Sequence, residues 1–312
     1  MPFAQLGDVR VFFTDDPPTA ADQEPRGTLL LVHGYGADSD DWVFHLPRLG
    51  RQFRIIAPDL RGHGLSSAPA TGYTPHDIAA DLIRLLDHLG VTEPVVAIGH
   101  SLGAMAISVL AVEHPERVRA LVCVDPGYGQ SPDVAATLAA TFAGLRSGDP
   151  YPTALANEDW CHTPVTPPWL LAWHRRKILA TAPQALVQAF PAMYEGDGAF
   201  GLRPEGDAYI ARRACPVLSC WSTRQAACAD WERGLLRHPA SRAESWPGGG
   251  HRLHTERPDE FTLVVRRWLG ELDRLHPPGA PATGDAATAD SAIEDPTTGA
   301  PRTASVPTEP AR

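Results

Sequence analysis

Between Leu29 and about His276 the sequence alternates short aliphatic runs with amphipathic stretches, and this rhythm constrains the fold more than any other feature. The runs GTLLLVHG, FRIIAPDL, PVVAIGH, VRALVCVDP and CPVLSCWS are apolar at successive positions, so a strand made from any of them must be buried on both faces. Separated by helix-length segments, they predict an α/β fold with a mostly parallel central sheet flanked by helices. TPHDIAADLIRLLDHLG is one such helix: Thr74 can cap it, Pro75 suits its first turn, and Ile78, Leu82, Leu85, Leu86 and Leu89 recur on one face. A chain of 312 residues with 43% hydrophobic content can bury a large core around such a sheet.

The rhythm breaks twice. From Gly127 to Arg213 strand-like runs give way to alanine-rich helical segments interrupted by proline, with Trp160, Trp169 and Trp173 concentrated there. The expected organisation is a core over residues 1–126, a helical cap insertion over 127–213, and the rest of the core over 214–276. Beyond it, 277–312 contains only Ile293 and Val306 as large apolar residues and is expected to be a disordered tail, because it cannot bury enough surface to offset ordering entropy. At the other end, LGDVRVFFTDD has strand character and predicts an edge hairpin.

A net charge of −10 without a long basic run argues against nucleic acid or an anionic membrane surface as partner. MPFAQLGDVRVFF lacks the charged and apolar regions of a signal peptide, and no apolar run approaches the roughly 18 residues of a membrane span. The expectation is a soluble cytoplasmic protein acting on a small molecule. Five cysteines with no CxxC pair disfavour a disulfide framework or a zinc site, and read as buried thiols.

The segment VVAIGHSLGA places Gly99, Ser101 and Gly103 in a G-x-S-x-G pattern directly after a predicted strand and before the predicted helix AMAISVLAVEHP. That context is what the motif requires. A nucleophile on so sharp a turn has close backbone neighbours, hence small flanking residues, and the amides opening the helix face the reaction centre.

With HGYGADSDDW, PDLRGHGLS, GHSLGA, and PGGGH followed by ERPDEF, the sequence resembles the α/β-hydrolases from Val11 to His276. The resemblance implies oxyanion-hole amides from Tyr35 and Leu102, both backbone groups. It also implies His251 as general base, following the nucleophile in the chain. Tyr35 could equally be a packing residue with its hydroxyl at the pocket mouth. His254 reads as a packing or exposed residue, His33 and His63 as structural hydrogen-bonding groups, and Asp59 and Arg61 as residues that fix their loop.

In many relatives the strand before the last ends in a turn carrying the triad acid, and aligning PVLSCWSTRQ on that turn puts Gln225 at the acid's position. Glutamine can accept a hydrogen bond from imidazole but cannot stabilise imidazolium by charge. The favoured substitute is Asp125 in ALVCVDPGYG, at the carboxyl end of the strand after the nucleophile's helix, where parallel strands deliver residues to a common crevice. Pancreatic-type lipases and zearalenone lactonases have their acid after this strand. The alternatives are Asp230, a V-D-P turn that only starts the cap, or no charged acid.

Serine rather than aspartate at the elbow argues against haloalkane dehalogenase or epoxide hydrolase chemistry, which needs a carboxylate nucleophile in this fold. The expected reaction is hydrolysis of an ester or lactone through an acyl-enzyme on Ser101, with no metal or organic cofactor. Trp160, Trp169, Trp173, Phe190, Met193, Tyr194 and Phe200 suggest a largely apolar pocket for an aromatic or medium-sized substrate. Carbon–carbon bond hydrolysis and cofactor-free haloperoxidase chemistry use the same fold and triad, and a ligand-binding protein or slow hydrolase-receptor is the alternative from another class.

Overall fold

The computed structural model describes residues 2–20, 25–164 and 166–275, and the expected tail over 277–312 lies outside them. The strands are β1 (Phe3–Leu6), β2 (Val9–Asp16), β3 (Thr28–Val32), β4 (Arg54–Pro58), β5 (Val95–His100), β6 (Val118–Val124), β7 (Val217–Ser222) and β8 (Arg242–Trp246). They form one sheet in the order β1-β2-β4-β3-β5-β6-β7-β8. β1 and β2 pair antiparallel as the expected edge hairpin, β2 also runs antiparallel to β4, and every pairing from β4 to β8 is parallel.

The apolar runs take the central places for the reason their composition requires. Every residue of β5 and β7 is buried, because helices cover both faces. In chain order the helices are α1 (Leu46–Leu49), α2 (Pro75–His88), α3 (Leu102–Glu113), α4 (Ala135–Leu145), α5 (Tyr151–Cys161), α6 (Pro168–Ala180), α7 (Pro183–Ala189), α8 (Glu205–Ile210), α9 (Ala226–Arg233), α10 (Leu253–Glu256) and α11 (Pro258–Leu275). α2 begins as its sequence predicts: Thr74 accepts from the Asp77 N–H, and Asp77 reaches back to the Thr74 N–H at 3.0 Å. Its buried stripe Ile78, Leu82, Leu85 and Leu86 joins α3 in one core cluster. Phe261, Val265, Trp268 and Leu269 of α11 build the second cluster with alternate residues of β3, β5 and β6.

Between β6 and β7 the connection is helical, carrying α4 to α8. Its joints to the core are polar as well as apolar: the Tyr35 hydroxyl donates to the Leu186 carbonyl on α7, and Lys177 on α6 pairs with Asp38 after β3. Among the described residues no helix is long and apolar enough to cross a membrane. All five cysteines are free thiols, buried except for the half-buried Cys215.

Candidate active site

Ser101 sits between β5 and α3 with φ 51° and ψ −113°, a backbone conformation that L residues rarely adopt. The surroundings over-determine it. Its N–H donates to the Val124 carbonyl at 2.9 Å, and its own carbonyl accepts from Met105. The flanking glycines are obligatory: a Cβ on Gly103 would lie 2.3 Å from the Val32 carbonyl oxygen, and one on Gly99 would lie 2.6 Å from that of Gly103. Ser101 makes no side-chain capping bond to α3. Leu102 opens that helix, where backbone N–H groups have no acceptor within the helix. The amide of Leu102 is one of these groups.

Asp125 follows β6 and is the only other described non-glycine residue with positive φ, at 39°. Strain of this kind collects at functional sites. The side chain is fully buried, and each carboxylate oxygen has a defined partner. Oδ1 accepts the Ser222 N–H at 2.7 Å, which ties it to the end of β7. Oδ2 lies 2.6 Å from His251 Nδ1, within the reach a supporting carboxylate needs. Gln225 also donates to Oδ2 through Nε2 at 3.3 Å, and its Oε1 accepts from Gln130 at 2.6 Å. At the position where many relatives carry the acid, this chain has an amide that hydrogen-bonds to a carboxylate arriving from the neighbouring strand.

His251 lies on the loop between β8 and α10. Its N–H donates to the Cys161 carbonyl at 3.1 Å, and its carbonyl accepts from His100 Nε2 at 3.0 Å. With Nδ1 engaged by Asp125, Nε2 is the ring nitrogen left for a substrate or nucleophile. Ser101 and His251 line one cavity of about 430 Å³. Asp230 is elsewhere: it is exposed on α9 and pairs with Arg233, so the structure does not bring it to the imidazole.

The cavity corrects part of the expected pocket. Trp160 and Tyr194 line it, with Phe190. Trp169 and Trp173 are not among its described lining residues; they pack edge-on against Phe44, and Trp169 is 56% exposed. Met193 is also absent from the lining, because it is buried against Gly127. Sequence reasoning missed the polar wall made by Thr137 and Thr141 on α4 and Thr153 and Asn157 on α5. Both pairs have i, i+4 spacing, a helical stripe that was visible in the sequence.

The Tyr35 ring is buried 5.4 Å from that of Phe190, and its hydroxyl is engaged by α7 rather than facing the pocket mouth. His33 stays neutral: burial pushes its pKa down to about 4, Nδ1 donates to the Gly34 carbonyl, and Nε2 accepts the Leu60 N–H. Asp59 accepts the N–H groups of Ser39 and Leu65, and Arg61 forks Asp81, so these residues hold their loops. Two buried groups bring metal-ligand atoms within 4.8 Å of one another, Asp41 with His100 and His254, and Glu158 with His162 and His174. None of the six lines the cavity.

A family model described as the alpha/beta hydrolase fold matches residues 27–157. A soluble epoxide hydrolase from Corynebacterium sp. (strain C12) is 34% identical over 137 residues, which cover 42% of this chain and 48% of that protein. The chain thus spans about half the length of that curated relative. Among solved structures, a hydrolase from Pseudomonas aeruginosa PA01 superposes with a TM-score of 0.72 at 26% identity, covering 86% of this chain and 97% of the other. A thermophilic esterase from Thermogutta terrifontis gives 0.70 at 26% identity, covering 86% and 96%. The parallel sheet order, the strained serine turn and these likenesses agree, and the chain is an α/β-hydrolase-fold protein.

Proposed function

We propose that the protein is a serine hydrolase that cleaves an ester or lactone of a neutral, medium-sized aromatic molecule through an acyl-enzyme. The observation that carries this reading is the meeting of Ser101 and His251 at one cavity, with Asp125 Oδ2 2.6 Å from His251 Nδ1. Ser101 attacks the carbonyl carbon while His251 Nε2 takes its proton. The oxyanion then rests on the Leu102 and Tyr35 backbone amides. The imidazolium returns the proton to the leaving alcohol, and water repeats the sequence to release the acid. Asp125 holds the imidazole tautomer and opposes the charge that forms on it.

Two properties of the cavity support the substrate class. No Asp, Glu, Lys or Arg is among its described lining residues, which favours a neutral ligand. Trp160, Phe190 and Tyr194 offer apolar surface, while Gln130, Asn157 and the threonines offer hydrogen bonds to a few polar substituents. A binding-protein reading rests on the uncharged Gln225, and the Asp125 carboxylate beside His251 takes that support away.

The test is pre-steady-state hydrolysis of p-nitrophenyl butyrate. A burst of p-nitrophenol near one equivalent, followed by slower turnover and abolished in Ser101→Ala, is the expected result. Turnover unaffected by Ser101→Ala, or no reaction with any ester or lactone offered to the folded protein, overturns the reading.

A further inference from the structure

We propose that Asp41, His100 and His254 form a binding site for a transition-metal dication such as zinc. The site would tie together the three segments that carry the candidate oxyanion loop, nucleophile and base. Asp41 lies in the turn Ser39–Trp42 after β3, His100 immediately precedes Ser101, and His254 stands three residues after His251. All three side chains are at most 1% exposed, and one ligand-type atom from each lies within 4.8 Å of the others.

These groups have uncommitted atoms. Asp41 Oδ1, His100 Nδ1 and both ring nitrogens of His254 are buried without a hydrogen-bond partner. Leaving such groups unpaired costs about 1–3 kcal/mol each, so the arrangement calls for something that satisfies several at once. Two imidazoles and a carboxylate are a donor set suited to zinc and its neighbours. The outer contacts fit as well. His100 donates Nε2–H to the His251 carbonyl, which leaves Nδ1 as a lone pair, and metal-bound histidines characteristically hold the second nitrogen in this way. Asp41 Oδ2 accepts from Arg252 at 3.2 Å, which leaves Oδ1 for the metal.

Charge does not oppose a cation here. Lys177 is paired with Asp38 and lies 3.6 Å from Asp41 Oδ1, the oxygen assigned to the metal, so its ammonium must stay with Asp38 when the ion binds; Arg252 forks Glu158 at 2.8 and 2.6 Å. Three carboxylates thus face two fixed cations, and Asp41 shares both of those cations with a closer acid, Arg252 with Glu158 and Lys177 with Asp38. His174 Nε2, also unpartnered, is 4.0 Å from Asp41 Oδ1 and suits a fourth ligand. The other buried group is the weaker candidate, because both oxygens of Glu158 are already taken by Arg252, and His162 bonds to one of them. Tetrahedral zinc bonds of about 2.0–2.1 Å place ligand atoms about 3.3–3.4 Å apart, so binding draws the side chains together by up to about 1.5 Å.

The test reads metal binding rather than hydrolysis, so it stands apart from the proposed activity. The full-length protein is stripped with a chelator and titrated with Co²⁺, then with Zn²⁺ in competition. About one equivalent of cobalt with visible d–d bands, displaced by zinc, is expected, together with a higher melting temperature. Asp41→Asn and His254→Gln should lose this binding and His162→Gln should keep it. His254→Cys should keep binding and add a thiolate-to-cobalt charge-transfer band, which a packing role for residue 254 would not produce. That band decides the matter even where the Asn and Gln variants fail to fold. No stoichiometric uptake by the wild type, uptake unchanged in folded Asp41→Asn, loss confined to His162→Gln, or a folded His254→Cys without the new band overturns the proposal.

Discussion

Asp125→Asn should lower kcat by about 10³- to 10⁴-fold without unfolding the protein. The Ser222 N–H needs the acceptor it finds at Oδ1, so the asparagine oxygen stays there and the amide nitrogen falls where Oδ2 now meets His251 Nδ1. A donor in that place stabilises the tautomer with its proton on Nε2, and an Nε2–H cannot accept the proton of Ser101. The variant also lacks the charge that opposes the imidazolium. Two unit charges about 4 Å apart at an effective dielectric of about 20 interact by about 4 kcal/mol, close to 10³ in rate. The tautomer error acts in the same direction, and removing the charge of a triad aspartate costs about 10⁴ in serine proteases. The assay is steady-state turnover of a p-nitrophenyl ester at saturating substrate, with circular dichroism and a melting curve confirming the fold. A folded variant within tenfold of wild type would refute the assignment of Asp125.

Other expectations follow from the same contacts. Gln225→Ala removes a long 3.3 Å bond to Asp125 but not the charge, so turnover should stay within several-fold, and a loss comparable to Asp125→Asn would show that the acid function is shared. Asp230→Ala should leave kinetics unchanged, since that side chain is exposed and paired with Arg233. Trp160→Ala should raise KM by up to about tenfold with a smaller change in kcat, because Trp160 lines the cavity and is not one of the residues assigned to the chemistry. Gly103→Ala should cost more than about 3 kcal/mol in urea unfolding, as its Cβ would meet two backbone carbonyl oxygens at 2.3 and 2.4 Å. Stability should fall as pH drops from about 6.5 towards 4. Burial lowers His33 and His45 to about 4 and His63 to about 3, so the unfolded chain takes up protons in that window that the native state refuses. Each histidine then loses about 2 kcal/mol by pH 5, partly offset by Asp41, whose carboxyl burial raises to about 6 and which therefore gains a native proton first. Melting temperatures between pH 8 and 4 check this, and a flat profile would contradict it.

What was legible in the sequence had a local physical cause. The central strands were readable because burial on both faces requires contiguous apolar residues, and the elbow because two glycines must flank a turn that admits no Cβ. The position of Asp125 was readable because carboxyl ends of adjacent parallel strands open on one crevice. The pocket wall depends instead on how helices pack. Trp169 and Trp173 were drawn into the expected pocket by composition, yet α6 turns them towards Phe44. The buried polar layer was hidden for a further reason. Asp41, Glu158, His174 and the Arg252–His254 pair come from four separate segments, and each alone resembles an ordinary surface residue until packing encloses it.

The central claim is that Ser101 is a nucleophile activated by His251. Treatment of the intact full-length protein with a fluorophosphonate, followed by mass measurement and peptide mapping, tests it most directly. The expected result is a single adduct on Ser101 that is much slower to form in His251→Ala. Folded wild-type protein that remains unlabelled, or that carries the adduct on another residue, would contradict it.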